Sequence, residues 1–135
     1  MLQQGAEFFL VFGPHRKDQR LVRQAHTDEL TGLLNRNGWT ERAIALHAQA
    51  LAAGRPVAVV VLDIDYFKRI NDEHGHDGGD TELRRLGDLM RARTGANGCA
   101  ARIGGEEFAV LLDGDDAVAA QAFAERVRRE FGKAQ

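Results

Sequence analysis

One cysteine, two prolines, one tryptophan and one tyrosine in 135 residues leave this chain few of the usual staples, kinks and anchors. The single Cys99 excludes an internal disulfide and fits a reducing compartment. Within Gly98-Cys99-Ala100-Ala101 it reads as a small buried hydrophobe. Long apolar runs are absent too: Phe8 to Phe12 and Val57 to Leu62 fall far below the roughly 20 residues of a membrane-spanning helix. The first residues lack the basic start and small-residue cleavage site of a signal peptide, so a cytoplasmic location is expected. Charge of one sign is missing as well. Lys plus Arg is 18 against 20 Asp plus Glu, and the net charge of −2 gives no electrostatic case for nucleic-acid binding. There is no internal repeat and no low-complexity tract. What remains, 44% hydrophobic and 28% charged, is the composition of one ordinary globular domain.

Along the chain, Glu7 to Phe12 reads as a short strand ended by Gly13-Pro14, and His15 to Thr27 as a charged connector helix. Asp28 can cap a helix whose apolar face begins with Leu30, Leu33 and Leu34. Asn35-Arg36-Asn37-Gly38 interrupts it, and an Ala-rich helix runs from Trp39 to Ala53, stopped by Gly54. Val57 to Asp65 is β-branched and apolar on both faces, which predicts a central strand covered on both sides. Phe67 and Ile70 start a helix that Gly75 breaks; Leu83, Leu86 and Met90 mark another. Cys99 to Ile103 and Glu107 to Leu112 read as two strands joined by a two-residue Gly104-Gly105 turn with positive φ. Ala120, Phe123, Ala124, Val127 and Phe131 make a last amphipathic helix. The order predicts an α/β layered domain with an antiparallel element in its sheet.

The chemistry concentrates at two acidic places. Asp63 and Asp65 end the predicted central strand, the edge of an α/β sheet where ligands usually bind. Glu106-Glu107 lie in the hairpin. Mg²⁺ is commonly held by one or two carboxylates together with substrate phosphates, so this pairing suits phosphoryl or nucleotidyl transfer. Taken singly, each pair also reads as a helix cap or a solvated hairpin charge. Tyr66-Phe67-Lys68-Arg69 opens a helix directly after the acidic strand end, where free N–H groups and a Lys attract phosphate. The polar stretch Asn71 to Asp80 offers a carboxylate and an amide, which fit the two edges of guanine and reject adenine. His74 and His76, in a Gly-rich turn, read as local hydrogen-bonding groups rather than metal ligands.

Together these stretches resemble the GGDEF family of diguanylate cyclases. The likeness begins at Asp28-Glu29-Leu30-Thr31-Gly32-Leu33-Leu34-Asn35-Arg36. It continues through Asp63-Ile64-Asp65-Tyr66-Phe67-Lys68-Arg69-Ile70-Asn71-Asp72 and Gly75-His76-Asp77-Gly78-Gly79-Asp80, and ends at Arg102-Ile103-Gly104-Gly105-Glu106-Glu107-Phe108. The resemblance implies a palm or ferredoxin-like nucleotidyl-cyclase sheet with flanking helices, occupying residues 28–135. Residues 1–27 would be a strand and connector from an upstream sensory domain. It also implies that Asp63 and Glu106 bind Mg²⁺ (or Mn²⁺) through their side chains and Ile64 through its carbonyl. Asn71 and Asp80 would read guanine, while Phe67 and Lys68 would hold the β- and γ-phosphates. Gly104 and Gly105 would let the backbone approach the nucleotide, with Arg102 among the substrate-binding residues. Glu107 would assist deprotonation of the ribose 3′-hydroxyl. The implied reaction joins two GTP into cyclic di-GMP with release of pyrophosphate, in a homodimer of facing domains.

Two departures bear on this expectation. Where the family usually carries an Arg-x-x-Asp inhibitory product site, this chain has Gly95-Ala96-Asn97-Gly98, which predicts no product inhibition there. The family also continues with a strand and a helix bearing a phosphate-gripping Lys and Arg, whereas this chain ends at Gly132-Lys133-Ala134-Gln135. Weak or lost catalysis is therefore expected, with an exposed sheet edge prone to pairing with another chain. The alternatives are a non-catalytic GTP-binding or partner-binding regulatory module, and another palm-type nucleotidyl cyclase. Asn71 and Asp80 argue against the last of these.

Overall fold

The computed structural model describes residues 2–5, 25–96 and 98–133. The predicted strand Glu7–Phe12, and the connector helix before Ala25, lie outside them. Four strands, β1 (Leu2–Gly5), β2 (Val57–Ile64), β3 (Gly98–Arg102) and β4 (Glu107–Asp113), form one sheet in the order β1-β2-β4-β3, every pair antiparallel. Among the described residues three helices cover it: α1 (Arg36–Ala53), α2 (Phe67–Thr94) and α3 (Ala117–Lys133). The α/β layering read from the sequence is the architecture observed.

The period-2 alternation of β4 divides the core into two halves. Phe108, Val110 and Leu112 face one way, with Val60, Leu62 and Ile64 of β2, and pack under α2 (Leu83, Leu86, Met90) and α3 (Ala124, Val127, Phe131). Ala109 and Leu111 face the other way, with Ala101 and Cys99, under Trp39, Ala43 and Leu46 of α1. The five consecutive buried residues from Phe108 to Leu112 make β4 the most enclosed strand. Each large side chain fully buried there contributes about 1.5–3 kcal/mol. Burial pushes the Cys99 thiol up to about 11, as expected of a packed, unreactive cysteine.

Three expectations are corrected. First, Asp28 to Leu34 is not a helix. Gly32 takes a left-handed φ of 75°, and Leu34 instead bridges both Thr27 and Ala101, so the segment turns back onto the sheet. Asn35 is the true N-cap, its Oδ1 accepting from Gly38 N–H at 2.9 Å, so α1 begins three residues earlier than the apolar pattern shows. Second, the hairpin is not a two-residue turn. Arg102 pairs with Phe108, both Ile103 N–H and Gly104 N–H donate to the Glu107 carbonyl, and neither Gly104 nor Gly105 has positive φ. A longer loop relaxes the connection, and the left-handed geometry of a two-residue turn is not needed. Third, the outer edge of β2 is paired: Leu2 to Gly5 run along Val61 to Ile64, which covers the acidic half of that edge.

Candidate active site

The acidic groups meet at one end of the sheet because β2 and β4 are antiparallel neighbours. Asp63, near the carboxyl end of β2, is the register partner of Glu107 at the start of β4. Ile64 N–H donates to the Glu106 carbonyl at 3.4 Å. The Asp63 Oδ1 is buried with no hydrogen-bond partner. Burial, followed by the nearby Asp63 charge and a hydrogen bond to the Asp63 carboxyl, with a smaller push from Glu107, holds the Glu106 carboxyl above the usual glutamate range. Two acids pressed together beside an unsatisfied oxygen form a site short of positive charge. The donor set of two carboxylates and a main-chain carbonyl consists of hard oxygens, which fits Mg²⁺ or Mn²⁺. Among the described residues no cluster of three or more metal-ligating side chains exists, so any cation here would draw further ligands from substrate or water.

β2 hands directly over to α2 through Asp65 and Tyr66. Tyr66 sits at φ 60°, the left-handed region that a non-glycine residue enters at a cost, and gives the helix no side-chain cap. The first-turn N–H groups next to the acidic strand end are thus left without a side-chain acceptor. Lys68 projects from this turn and is exposed. Further along, Gly75 (φ 74°, ψ 177°) breaks the helical geometry of α2, with Asn71 one turn before the break and Asp80 beyond it. The Asn71 Oδ1 is a second buried oxygen with no partner. His74 and His76 are exposed.

Arg102 and Asp28 form a connection that sequence reasoning missed. Arg102 donates through Nε and Nη2 to the Gly105 carbonyl (3.0 and 2.8 Å) and through Nη1 to Asp28 Oδ1 (3.2 Å). The other Asp28 oxygen accepts from both N–H and Oγ1 of Thr31 (2.9 and 2.7 Å). The glycine loop is thereby tied to the 28–34 turn. The Asp-x-x-Thr spacing signals such a side-chain turn, but nothing in it names Arg102 as partner. The structure therefore brings together Asp63, Ile64, Glu106 and Glu107. It sets Asn71 and Asp80 on the two sides of one kink, and turns Arg102 towards the loop backbone. Gly105 has open space where a side chain would stand, while a Cβ on Gly104 would touch Glu107 Oε1 at 3.2 Å.

Comparison with known proteins points to one family. The family model described as diguanylate cyclase, GGDEF domain, matches residues 25–135. Diguanylate cyclase DgcP of Pseudomonas aeruginosa is 43% identical over 117 residues, 87% of this chain and 17% of that protein. Response regulator PleD of Caulobacter vibrioides is 41% identical over 104 residues, 77% of this chain and 23% of its own length. Among solved structures, the GGDEF domain of DgcB from Caulobacter crescentus in complex with c-di-GMP superposes with a TM-score of 0.75 at 34% identity, covering 87% of this chain and 65% of that one. The chain spans less than a third of the length of both of these curated relatives.

Proposed function

The chain belongs to the GGDEF family of diguanylate cyclases, and on that premise we propose that it condenses two GTP molecules into cyclic di-GMP with release of pyrophosphate. The observation that carries this reading is the facing pair Asp63 and Glu106, with one buried carboxylate oxygen unsatisfied and one carboxyl pushed up. Asp63, Glu106 and the Ile64 carbonyl would hold Mg²⁺ or Mn²⁺. A cation there neutralises phosphate charge and favours ionisation of the attacking hydroxyl. The remaining roles fall to the chain itself. Asn71 and Asp80 grip guanine, and the uncapped N–H groups around Phe67 and Lys68, with the Lys68 ammonium, bind the β- and γ-phosphates. Gly104 and Gly105 leave room for the nucleotide, on a loop whose shape Arg102 holds. Glu107 accepts the proton of the 3′-hydroxyl. Each 3′-oxygen forms a bond to the α-phosphorus of the other GTP as the bond to pyrophosphate breaks, so two protons and two pyrophosphates leave per cycle. One domain offers one such set of residues, so the reaction takes two chains face to face.

Incubation with GTP and Mg²⁺, with nucleotides resolved by chromatography, tests the reading. Cyclic di-GMP should form at a low rate, in keeping with the weak catalysis expected, and Asp63→Asn or Glu106→Gln should abolish it. Product undiminished by either change would sink the metal assignment. GTP binding with no product from the unaltered chain would favour a regulatory, non-catalytic module instead.

A further inference from the structure

Glycine is a poor helix residue, yet α2 places Gly78 and Gly79 side by side. Gly79 is buried, and its φ lies outside the left-handed region, so its backbone would accept alanine and gain from it. The reason for glycine must lie in what a side chain would meet. A Cβ built on Gly79 falls on the Asn71 Oδ1, lies 2.9 Å from the Asn71 Cγ, and is 3.1 Å from Cζ of Phe67. At Gly78 the obstacle is the His74 Cβ at 2.5 Å, an atom fixed to the backbone. At Gly79 the nearest obstacle is the end of a side chain that can rotate. A methyl at 78 would strain the helix, whereas a methyl at 79 would move Asn71.

We infer that Gly79 is a positioning residue for base recognition: the space left by its missing side chain is where the Asn71 amide lies. This rests on the proposed reading in which Asn71 contacts guanine. The kink at Gly75 folds the first turns of α2 back so that Asn71 reaches Gly79, the residue directly before Asp80. The amide and the carboxylate assigned to guanine are thereby set by a single backbone position. Holding a carbonyl oxygen buried and unpartnered carries a cost that an incoming donor relieves. The packing against Gly79 keeps that oxygen in place until a donor arrives.

Nuclear magnetic resonance tests the geometry without nucleotide. The Asn71 side-chain amide, identified as the pair lost in N71A, should shift in G79A while most backbone signals stay put; an unmoved pair overturns the inference. Binding of α,β-methylene GTP with Mg²⁺ tests the consequence. G79A should weaken it roughly three- to tenfold, about the worth of one neutral hydrogen bond, and leave the weak affinity for the adenine analogue unchanged. N71A should weaken it similarly, and N71A/G79A no further than N71A alone. If N71A binds as tightly as the unaltered chain, or the unaltered chain does not bind, the guanine assignment fails. If N71A weakens binding and G79A does not, or their effects add, the positioning role of Gly79 fails. Should G79A not fold, the double variant, which lacks the obstructing amide, should fold; failure of both overturns the inference.

Discussion

At the scale of single residues, Glu106 shows what an acidic site costs the fold that carries it. Its carboxyl lies above the ordinary glutamate range, chiefly through burial and the neighbouring Asp63. The folded state therefore binds that proton more tightly than the unfolded chain does. Its contribution to stability is greatest at low pH, falls as pH rises from the ordinary value of about 4.3 through the raised one, and levels off above it. Glu106→Gln removes this loss. At neutral pH without divalent cation it should stabilise the protein by a few tenths to about 1 kcal/mol, the scale of like charges juxtaposed across strands. Added Mn²⁺ should raise the melting temperature of the unaltered chain and leave that of the variant in place. A variant less stable than its parent without cation, or equally responsive to Mn²⁺, would remove Glu106 from the cation site.

At the scale of elements, the kink in α2 decides how the site residues are spaced. Gly75 has open space around it and a φ of 74°, so its only demand is conformational. Gly75→Ala should cost about 1–2 kcal/mol in chemical denaturation, the penalty for an L-residue in the left-handed region, with no cavity or clash involved. It should also weaken GTP binding, because a straightened helix carries Asn71 away from Gly79 and Asp80. Unchanged stability would mean that the kink is not held by the glycine. The position of this break was legible in the sequence, because Gly75 falls where the apolar period set by Phe67 and Ile70 lapses before Leu83 resumes it. So were β2, whose β-branched run has no helical alternative, and α3, whose buried residues recur at spacings of three and four. The 28–34 turn was not legible. Leu30, Leu33 and Leu34 have helical spacing, but Leu34 bonds to the sheet at Ala100 and Arg102, partners far along the chain that no local pattern can register. The Gly-Gly loop departs from its local pattern for a related reason. Turn preference favours two residues, while the Arg102–Phe108 register and the Arg102 grip on the Gly105 carbonyl fix a longer loop.

At the scale of the whole molecule, the site is one half of what the proposed reaction requires. The sheet end carries one acidic pair and α2 one amide–carboxylate pair, which in the proposed reading serve one GTP; Glu107, assigned there to the 3′-hydroxyl, is exposed. On that reading one chain holds one GTP, and the second nucleotide arrives on another chain. The acid pair was legible as chemistry at two separate places in the chain, but that Asp63 and Glu106 meet was set by the Asp63–Glu107 register and the Ile64 N–H bond to the Glu106 carbonyl. The kinetic consequence is specific. Below the concentration at which half the chains are paired, the initial rate of cyclic di-GMP formation should rise with the square of protein concentration, and above it in proportion. Excess Asp63→Asn chain, which keeps the residues proposed to read guanine, should depress the activity of a fixed amount of unaltered chain by drawing it into pairs with one dead half. Rates strictly proportional to concentration throughout, with no inhibition by the variant, would mean that one chain completes the reaction alone.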